Sequence, residues 1–307
     1  DRKGRVWFGS YGGVSWYDKK TAQFKHFKES AEDGGLSDLV VYALYEDSKG
    51  NIWIGTQDGG LNLFHEQTNS FTTYQHNPKK SGTISHHRIN VIYEDKKGNL
   101  WVGTHGGLNL FDPKTQTFTV FGVKEGLPNE MILEILEDDR GNLWIGTNKG
   151  LSKFTPSKKT FRNYDTSDGL QGYTFNRRAG FKNKNGTMFF GGQNGFNVFH
   201  PDSLKDNLHK PAVFITDFKL FNKSVPFKGI DAVLKKDISA TKEIVLSYKH
   251  LVFSFKFAAL NYTHPEKNQY AYKLEGFDTD WNYIKNKRTA EYTSITPGEY
   301  IFRVKAS

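Results

Sequence analysis

The chain contains no cysteine. A disulfide scaffold, a Cys-ligated metal site and a cysteine nucleophile are therefore excluded. The compartment stays open, because a reducing cytosol and a Cys-poor periplasm leave the same trace. Proline is scarce, at 9 of 307 residues. No apolar run approaches the ~20 residues that a membrane helix needs, and no signal-peptide pattern opens the residues given. No segment carries the i, i+3, i+4, i+7 apolar stripe of a helix, which excludes repeats built from helix pairs. A basic cluster is missing too. Lys and Arg number 42 against 33 Asp and Glu, a net charge of +9. The lysines, however, are scattered through turns such as Lys79-Lys80, Lys96-Lys97 and Lys158-Lys159. A nucleic-acid footprint would gather them on one element among stacking aromatics, so no nucleic-acid partner is expected.

Aromatic residues are abundant, with 25 Phe, 15 Tyr and 6 Trp, and there are 30 Gly. That combination in short segments points to β-structure with tight turns. The length predicts about two domains, and the apolar content is that of a globular chain.

The segment Gly50-Asn-Ile-Trp-Ile-Gly-Thr56 recurs at Gly98–Thr104 and Gly141–Thr147, with degenerate copies at Gly4–Ser10 and Gly186–Gly192. A second element, Gly59-Gly-Leu-Asn-Leu-Phe64, recurs at Gly106–Phe111 and in looser form at Gly12, Gly150 and Gly195. Short aromatic segments such as Phe71-Thr-Thr-Tyr74 follow, and apolar ones such as Val41-Tyr-Ala-Leu-Tyr45 precede. Each repeat of about 45 residues is thus four short strands, the spacing of a β-propeller blade. In one blade the strands are A (Tyr42–Glu46), B (Asn51–Gly55), C (Gly60–Phe64) and D (Ser70–Tyr74). Repeats are expected near residues 1–34, 35–81, 82–125, 126–168 and 169–200. Trp53, Trp101 and Trp144 are expected to pack in the core between neighbouring blades and to form no ligand platform. The first repeat begins at strand B and the fifth lacks a clear D, so both ends are ragged. A propeller hides its blade edges by closing its ring, so further repeats are expected upstream.

The pattern breaks at Pro201, and residues 201–211 read as a linker. Alternating strands follow at Val213–Asn222, Glu243–Tyr248, Leu251–Asn261, Gln269–Leu274, Arg288–Thr293 and Tyr300–Lys305. Phe253, Phe255 and Phe257 share one face, as a period of two demands. Residues 212–307 are therefore expected to form an immunoglobulin-like sandwich with Trp281 as a core aromatic and a last strand cut off after Ser307.

These motifs, in this order, carry a family resemblance. The Gly-Asn-Leu-Trp-Ile-Gly-Thr and Gly-Leu-x-x-Phe copies resemble the regulator-propeller repeats of bacterial hybrid two-component sensors. Gly169-Leu-Gln-Gly172, Phe175-Asn176 and Gly195–Pro201 resemble the final repeat. Asn261-Tyr262, Tyr270-Ala-Tyr272-Lys-Leu-Glu-Gly276, Trp281, Pro297–Tyr300 and Phe302–Ser307 resemble the three-tyrosine domain that follows it. The resemblance implies a seven-bladed ring, an oligosaccharide ligand and a homodimer. It also implies a periplasmic location and a membrane histidine kinase reached through a segment outside these residues.

Propeller geometry suggests a site without reference to the family. D–A loops and B–C turns emerge on one face, A–B and C–D turns on the other. The A–B turns are near-uniform, as in Asp47-Ser-Lys-Gly50 and Asp95-Lys-Lys-Gly98, which is turn chemistry. The D–A and B–C loops vary, and function concentrates on variable loops held by a rigid scaffold. That face carries Gln57, Asp58, His86, His87, Arg88, His105, Glu130, Tyr173, Asn176, Arg177 and Arg178. Residues just before strand A lie nearest the axis, which favours His87, Arg88, Glu130, Arg177 and Arg178. Arginine matches a carboxylate or sulfate bidentately, so Arg88, Arg177 and Arg178 suit an acidic glycan. Alternatively they pair with Asp38, Glu130 or Glu134 and line a solvated funnel. His86 and His87 are adjacent on an extended chain and point apart, so neither a metal nor a cofactor is expected.

Enzyme chemistry finds little support. Asp58 and Glu130 come from different blades, and nothing orients them as the carboxylate pair of a glycosidase. Asp47, Asp95 and Asp138 lie in A–B turns and read as turn caps. A Gly-x-Ser-x-Gly nucleophile motif and a phosphate loop are absent. A protein-interaction scaffold would show apolar residues on the variable loops, whereas these loops are polar.

Overall fold

The computed structural model describes residues 1–30, 32, 34–204, 212–227, 233–261, 265 and 268–306. Tyr262, His264, Ser307 and most of the expected linker lie outside them. The chain is all-β and divides into two compact units, Asp1–Lys205 and Asp206–Ser307. No helix among the described residues is long and apolar enough to cross a membrane.

The first unit consists of antiparallel blades. Blade 1 is β1 (Arg5–Ser10), β2 (Gly13–Asp18) and β3 (Gln23–Phe27). Blade 2 is β4 (Val41–Glu46), β5 (Ile52–Thr56), β6 (Leu61–His65) and β7 (Ser70–Tyr74). Blade 3 is β8 (Ile89–Glu94), β9 (Leu100–Thr104), β10 (Gly107–Asp112) and β11 (Thr117–Phe121). Blade 4 is β12 (Ile132–Glu137), β13 (Leu143–Thr147), β14 (Gly150–Thr155) and β15 (Thr160–Tyr164). Blade 5 is β16 (Phe175–Lys182), β17 (Met188–Gly192) and β18 (Gly195–Phe199). Both ragged ends of the repeat pattern are therefore visible among the described residues.

One carboxylate explains why each copy folds alike. Asp47 Oδ1 accepts the Lys49 and Asn51 N–H groups at 3.0 and 2.9 Å, which closes the A–B turn. Its Oδ2 accepts the Trp53 indole N–H at 2.9 Å. Asp95 does the same for Trp101 at 2.9 Å, Asp138 for Trp144 at 3.0 Å and Asp1 for Trp7 at 2.7 Å. The turn is thereby tied to the core ring, which turn capping alone does not reveal. Blade 5 has Phe189 in the tryptophan position and Asn183 in the aspartate position. Asn183 Oδ1 still closes the turn through Asn185 and Thr187 at 3.0 and 2.9 Å, with no indole left to bind. Burial pulls the Asp47 and Asp138 carboxyls up, but the bonds from the turn and the indole outweigh it and hold both below the usual range.

The tryptophans sit between blades, as expected. Trp53 meets Phe111 of blade 3 edge-on at 5.2 Å, Trp101 meets Phe154 of blade 4 at 5.7 Å, and Trp144 meets Phe199 of blade 5 at 4.8 Å. Each contact joins a core cluster drawn from two blades. The A–B turns are also linked in sequence. Glu94 accepts Ser48 N–H at 2.6 Å, and Glu137 accepts Lys96 N–H at 2.9 Å. At the fifth blade the polarity reverses, with Lys182 Nζ on Asp139 at 3.0 Å.

The second unit is a sandwich of two sheets. The first, in order β20-β19-β21-β24, comprises β19 (Val213–Leu220), β20 (Lys223–Ser224), β21 (Val252–Ala259) and β24 (Thr289–Thr293). The second, in order β23-β22-β25, comprises β22 (Tyr270–Glu275), β23 (Asn282–Lys285) and β25 (Ile301–Ala306). Phe218, Phe257, Tyr270, Leu274 and Tyr292 form the buried core between them. Asp278 Oδ2 accepts the Leu274 N–H at 2.7 Å and the Tyr292 hydroxyl at 2.9 Å. Burial, then that carboxylate, raises the Tyr292 pKa.

Two expectations for this unit are corrected. Trp281 is only partly buried and lies outside the core cluster, with Lys305 Nζ 4.0 Å above its ring. It precedes an edge strand whose outward face also carries the exposed Tyr283. Glu243–Tyr248 is not a strand. Ile244 and Leu246 pack onto the core while Val245 and Ser247 are exposed, so the side chains alternate from Ile244 to Ser247, yet the backbone joins no ladder. Alternation needs only one apolar face, whereas a strand also needs a neighbouring backbone.

Candidate functional site

The variable-loop face is built by bonds between B–C turns and the residues that precede strand A. Gly60 N–H donates to His87 O at 2.9 Å, Gln57 N–H to Val40 O at 2.9 Å, His105 N–H to Arg88 O at 3.3 Å and Gly150 N–H to Tyr173 O at 2.5 Å. Within the turn, the Thr56 hydroxyl donates to Gly60 O at 2.9 Å. Gly60 has φ 89°, and a Cβ there would lie 2.3 Å from Tyr74 O, so no other residue fits. Buried asparagines pin the D–A loops. Asn109 Oδ1 accepts Ser85 N–H at 2.9 Å while its Nδ2 donates to Ser85 Oγ at 2.9 Å, and Asn62 holds Ser37 in the same way. The recurrent Asn of Gly-Leu-Asn-Leu-Phe is thus a loop anchor.

Four of the expected residues form one connected group. Arg88 Nη2 pairs with Asp58 Oδ1 at 3.4 Å, and its Nε lies 3.4 Å from Gln57 O. Gln57 Nε2 donates to Asp58 Oδ2 at 3.1 Å, and Asp58 N–H donates to Asp38 at 2.7 Å. The His105 and His86 rings are 5.7 Å apart. Burial lowers the His105 pKa to about 4, helped by Arg88, His86 and Arg177 and opposed by Asp58. Burial, His87 and Arg88 likewise lower that of His86. Both rings are therefore neutral at pH 7 and present hydrogen-bonding nitrogens without charge.

Arg177 and Arg178 reach this group across the propeller axis. In blades 2, 3 and 4 strand A carries a short bulge, at Val41/Ala43, Ile89/Val91 and Ile132/Glu134. In blade 5 the irregularity runs from Phe175 to Gly180 and expels Asn176, Arg177, Arg178 and Ala179 from the ladder. The Arg177 guanidinium carbon stands 3.6 Å over the centre of the Tyr42 ring, and Arg178 Nη1 donates to Tyr42 O at 3.2 Å. The Tyr42 hydroxyl donates to Gln57 Oε1, which closes the group.

Tyr42 escaped sequence reasoning, and Glu134 entered it only as a pairing partner for the arginines. Tyr42 is a bulge residue in the register of Asn90 and Leu133, and one tyrosine among such different residues gives no signal. Glu134 does leave one, since it stands where the other blades have Ala43 and Val91. Opposite it, Gly180 replaces Leu44, Ile92 and Ile135, and a Cβ at Gly180 would lie 2.4 Å from Glu134 Cγ. The missing side chain makes room for the acid. Glu134 is buried, and its oxygens accept Ile135 and Gly180 N–H at 3.0 and 2.8 Å. Burial pushes its pKa up to about 7 against those bonds and Arg178.

Other expected residues stand apart from the group. Glu130 and Asn176 are exposed. Tyr173 lines a polar pocket of ≈ 330 Å³ with Gln171, Gln193 and Asn194. The His87 carbonyl anchors Gly60, and its Nδ1 is buried without a partner among the described residues.

Comparison with known proteins places this arrangement. The family model for the two component regulator propeller matches residues 35–58, 83–106 and 126–149, and that for the Y_Y_Y domain matches residues 261–307. A histidine kinase of Formosa agariphila, Histidine kinase P4, is 35% identical over the whole chain, which spans 19% of that relative. The extracellular domain of a hybrid two-component system from B. thetaiotaomicron is 30% identical with a TM-score of 0.79, and this chain spans 41% of it. A second B. thetaiotaomicron extracellular domain, from a one-component system, shares the fold at 24% identity and a TM-score of 0.50, over 100% of this chain and 41% of that one.

Proposed function

We propose, given that the chain belongs to the regulator-propeller and Y_Y_Y sensor regions of hybrid two-component systems, that its propeller binds an oligosaccharide and its sandwich relays that event to a membrane histidine kinase. The carrying observation is the polar group of Gln57, Asp58, Arg88, His105 and Tyr42, joined by hydrogen bonds on the one face where the repeats diverge. Sugars are recognised by planar polar side chains that bond hydroxyls in pairs, and this group supplies an amide, a carboxylate, a guanidinium and neutral imidazoles. Catalysis fits the site poorly. Asp58 is held by Arg88, and Glu134 has both oxygens committed to backbone N–H groups.

The sensor works outside the cytoplasm, in the periplasm, and the whole protein acts as a homodimer. A ligand moves a two-state equilibrium only by its differential affinity for the states, so the oligosaccharide must change dimer geometry as well as fill a site. Crosslinking or solution scattering of the intact ectodomain should differ with and without glycan. An unchanged profile at saturating glycan refutes the relay. Arg88→Ala should weaken glycan binding about tenfold or more, since it removes a charged hydrogen-bond donor and frees Asp58. Its melting temperature should stay close to the parent value, because the Arg88–Asp58 pair is solvent-exposed. Unchanged affinity by calorimetry would remove Arg88 from the site.

A further inference from the structure

We infer that the Arg177–Arg178 bulge makes the site selective for an anionic glycan, one bearing a uronate carboxylate or a sulfate ester, with Tyr42 as the positioning residue. The inference rests on the oligosaccharide reading and names the ligand class within it.

The three arginines on this face are not equivalent. Arg88 is neutralised by Asp58. Among the described residues neither Arg177 nor Arg178 takes part in an ion pair. Arg177 therefore has no described carboxylate at salt-bridge distance, and Arg178 has only the longer-range attraction of Glu134. His105 and His86 add no charge at pH 7. Glu134 attracts Arg178 without pairing with it, and burial pushes its pKa up to about 7, so at pH 7 its carboxyl carries only part of a negative charge. A neutral sugar would leave this positive surplus in place, whereas an anion relieves it.

Stacking also decides which part of Arg177 is free. At 3.6 Å over the Tyr42 ring it spends its flat face on the aromatic surface. Its in-plane N–H donors remain exposed as a fork, the shape that a carboxylate or sulfate fills bidentately. Tyr42 is itself held by Gln57 through its hydroxyl and by Arg178 through its carbonyl, so the fork is aimed before ligand arrives. The backbone is committed to this geometry. Arg178 has φ 55°, a left-handed conformation costly for a residue with a side chain and retained only where the surroundings enforce it. The extended bulge occurs in the one described blade that carries the arginine pair.

The test titrates the full chain by calorimetry with four probes. These are a galacturonic acid oligosaccharide, its methyl ester, a sulfated disaccharide and a neutral galactose oligosaccharide. The inference expects binding of acidic probes only, weakening as salt rises. R177Q and R178Q should each lose about tenfold or more for the bound acid. Y42F should weaken acid binding less than Y42A, because the stack under Arg177 survives while only the hydroxyl bond to Gln57 is lost. A neutral probe bound as tightly as its acidic counterpart overturns the anion inference and leaves the oligosaccharide reading standing. So does an acid bound equally by R177Q and the parent chain. Failure of all four probes to bind the parent chain overturns both.

Discussion

Replacing Trp101 with alanine will lower the unfolding free energy of the propeller unit by ~3–5 kcal/mol, the cost of truncating a large core aromatic. Trp101 is 2% exposed and meets Phe154 at 5.7 Å and Phe121 at 6.1 Å, so the truncation opens a cavity between blades 3 and 4. It also removes the indole N–H that Asp95 accepts at 2.9 Å, which unties the A–B turn from the core. The natural comparison lies in blade 5, where Phe189 and Asn183 replace the tryptophan and the aspartate together. Trp101→Phe should therefore cost less than Trp101→Ala. Adding Asp95→Asn to Trp101→Phe should cost less than the sum of the two single changes, because the carboxylate no longer lacks its donor. Denaturant unfolding of the four variants measures all these terms. A Trp101→Ala midpoint close to the parent value would contradict the packing of the indole between blades.

Glu134 will make the propeller less stable as pH rises from about 4.5 to about 7. Its pKa stands near 7 in the folded chain against 4.5 when exposed, so the folded state holds its proton more tightly. Between those values the folded state binds more protons than the unfolded state, and stability falls with pH. Each pKa unit is worth about 1.4 kcal/mol, so the full effect is roughly 3 kcal/mol. Glu134→Gln keeps an oxygen for the Gly180 N–H and carries no titrating group. Thermal unfolding should show the parent chain losing stability relative to E134Q across this window, with the two curves parallel above pH 8. Parallel curves throughout would mean that the carboxyl is solvated and that Gly180 has another purpose.

Much of this architecture was legible in local sequence. The blade strands fall where the Trp and Gly-Leu segments recur, and both ragged ends are where the pattern loses an element. Period-two runs such as Val252–Phe257 locate sandwich strands for the same reason. Trp281 shows the limit. A tryptophan in a β-domain suggests a core, but its place beside an edge strand leaves it under Lys305, while Phe257, Tyr270 and Tyr292 fill the interior. Glu243–Tyr248 shows another, since its alternation was genuine and its pairing absent.

The sequence by itself determined the repeat, the turns and the variable face. These depend on bonds over a few residues, such as Asp95 to Asn99 and Trp101, that every copy restates. Only the tertiary structure decided which polar loop residues meet. Arg178 and Tyr42 are 136 positions apart and touch because blades 2 and 5 face each other across the axis. It also decided that Arg88 is spent on Asp58 while Arg177 and Arg178 are not, and that Glu134 is buried against a glycine. Charge pairing and burial are set by what the packing of blades brings within a few ångströms, and no local pattern encodes that distance.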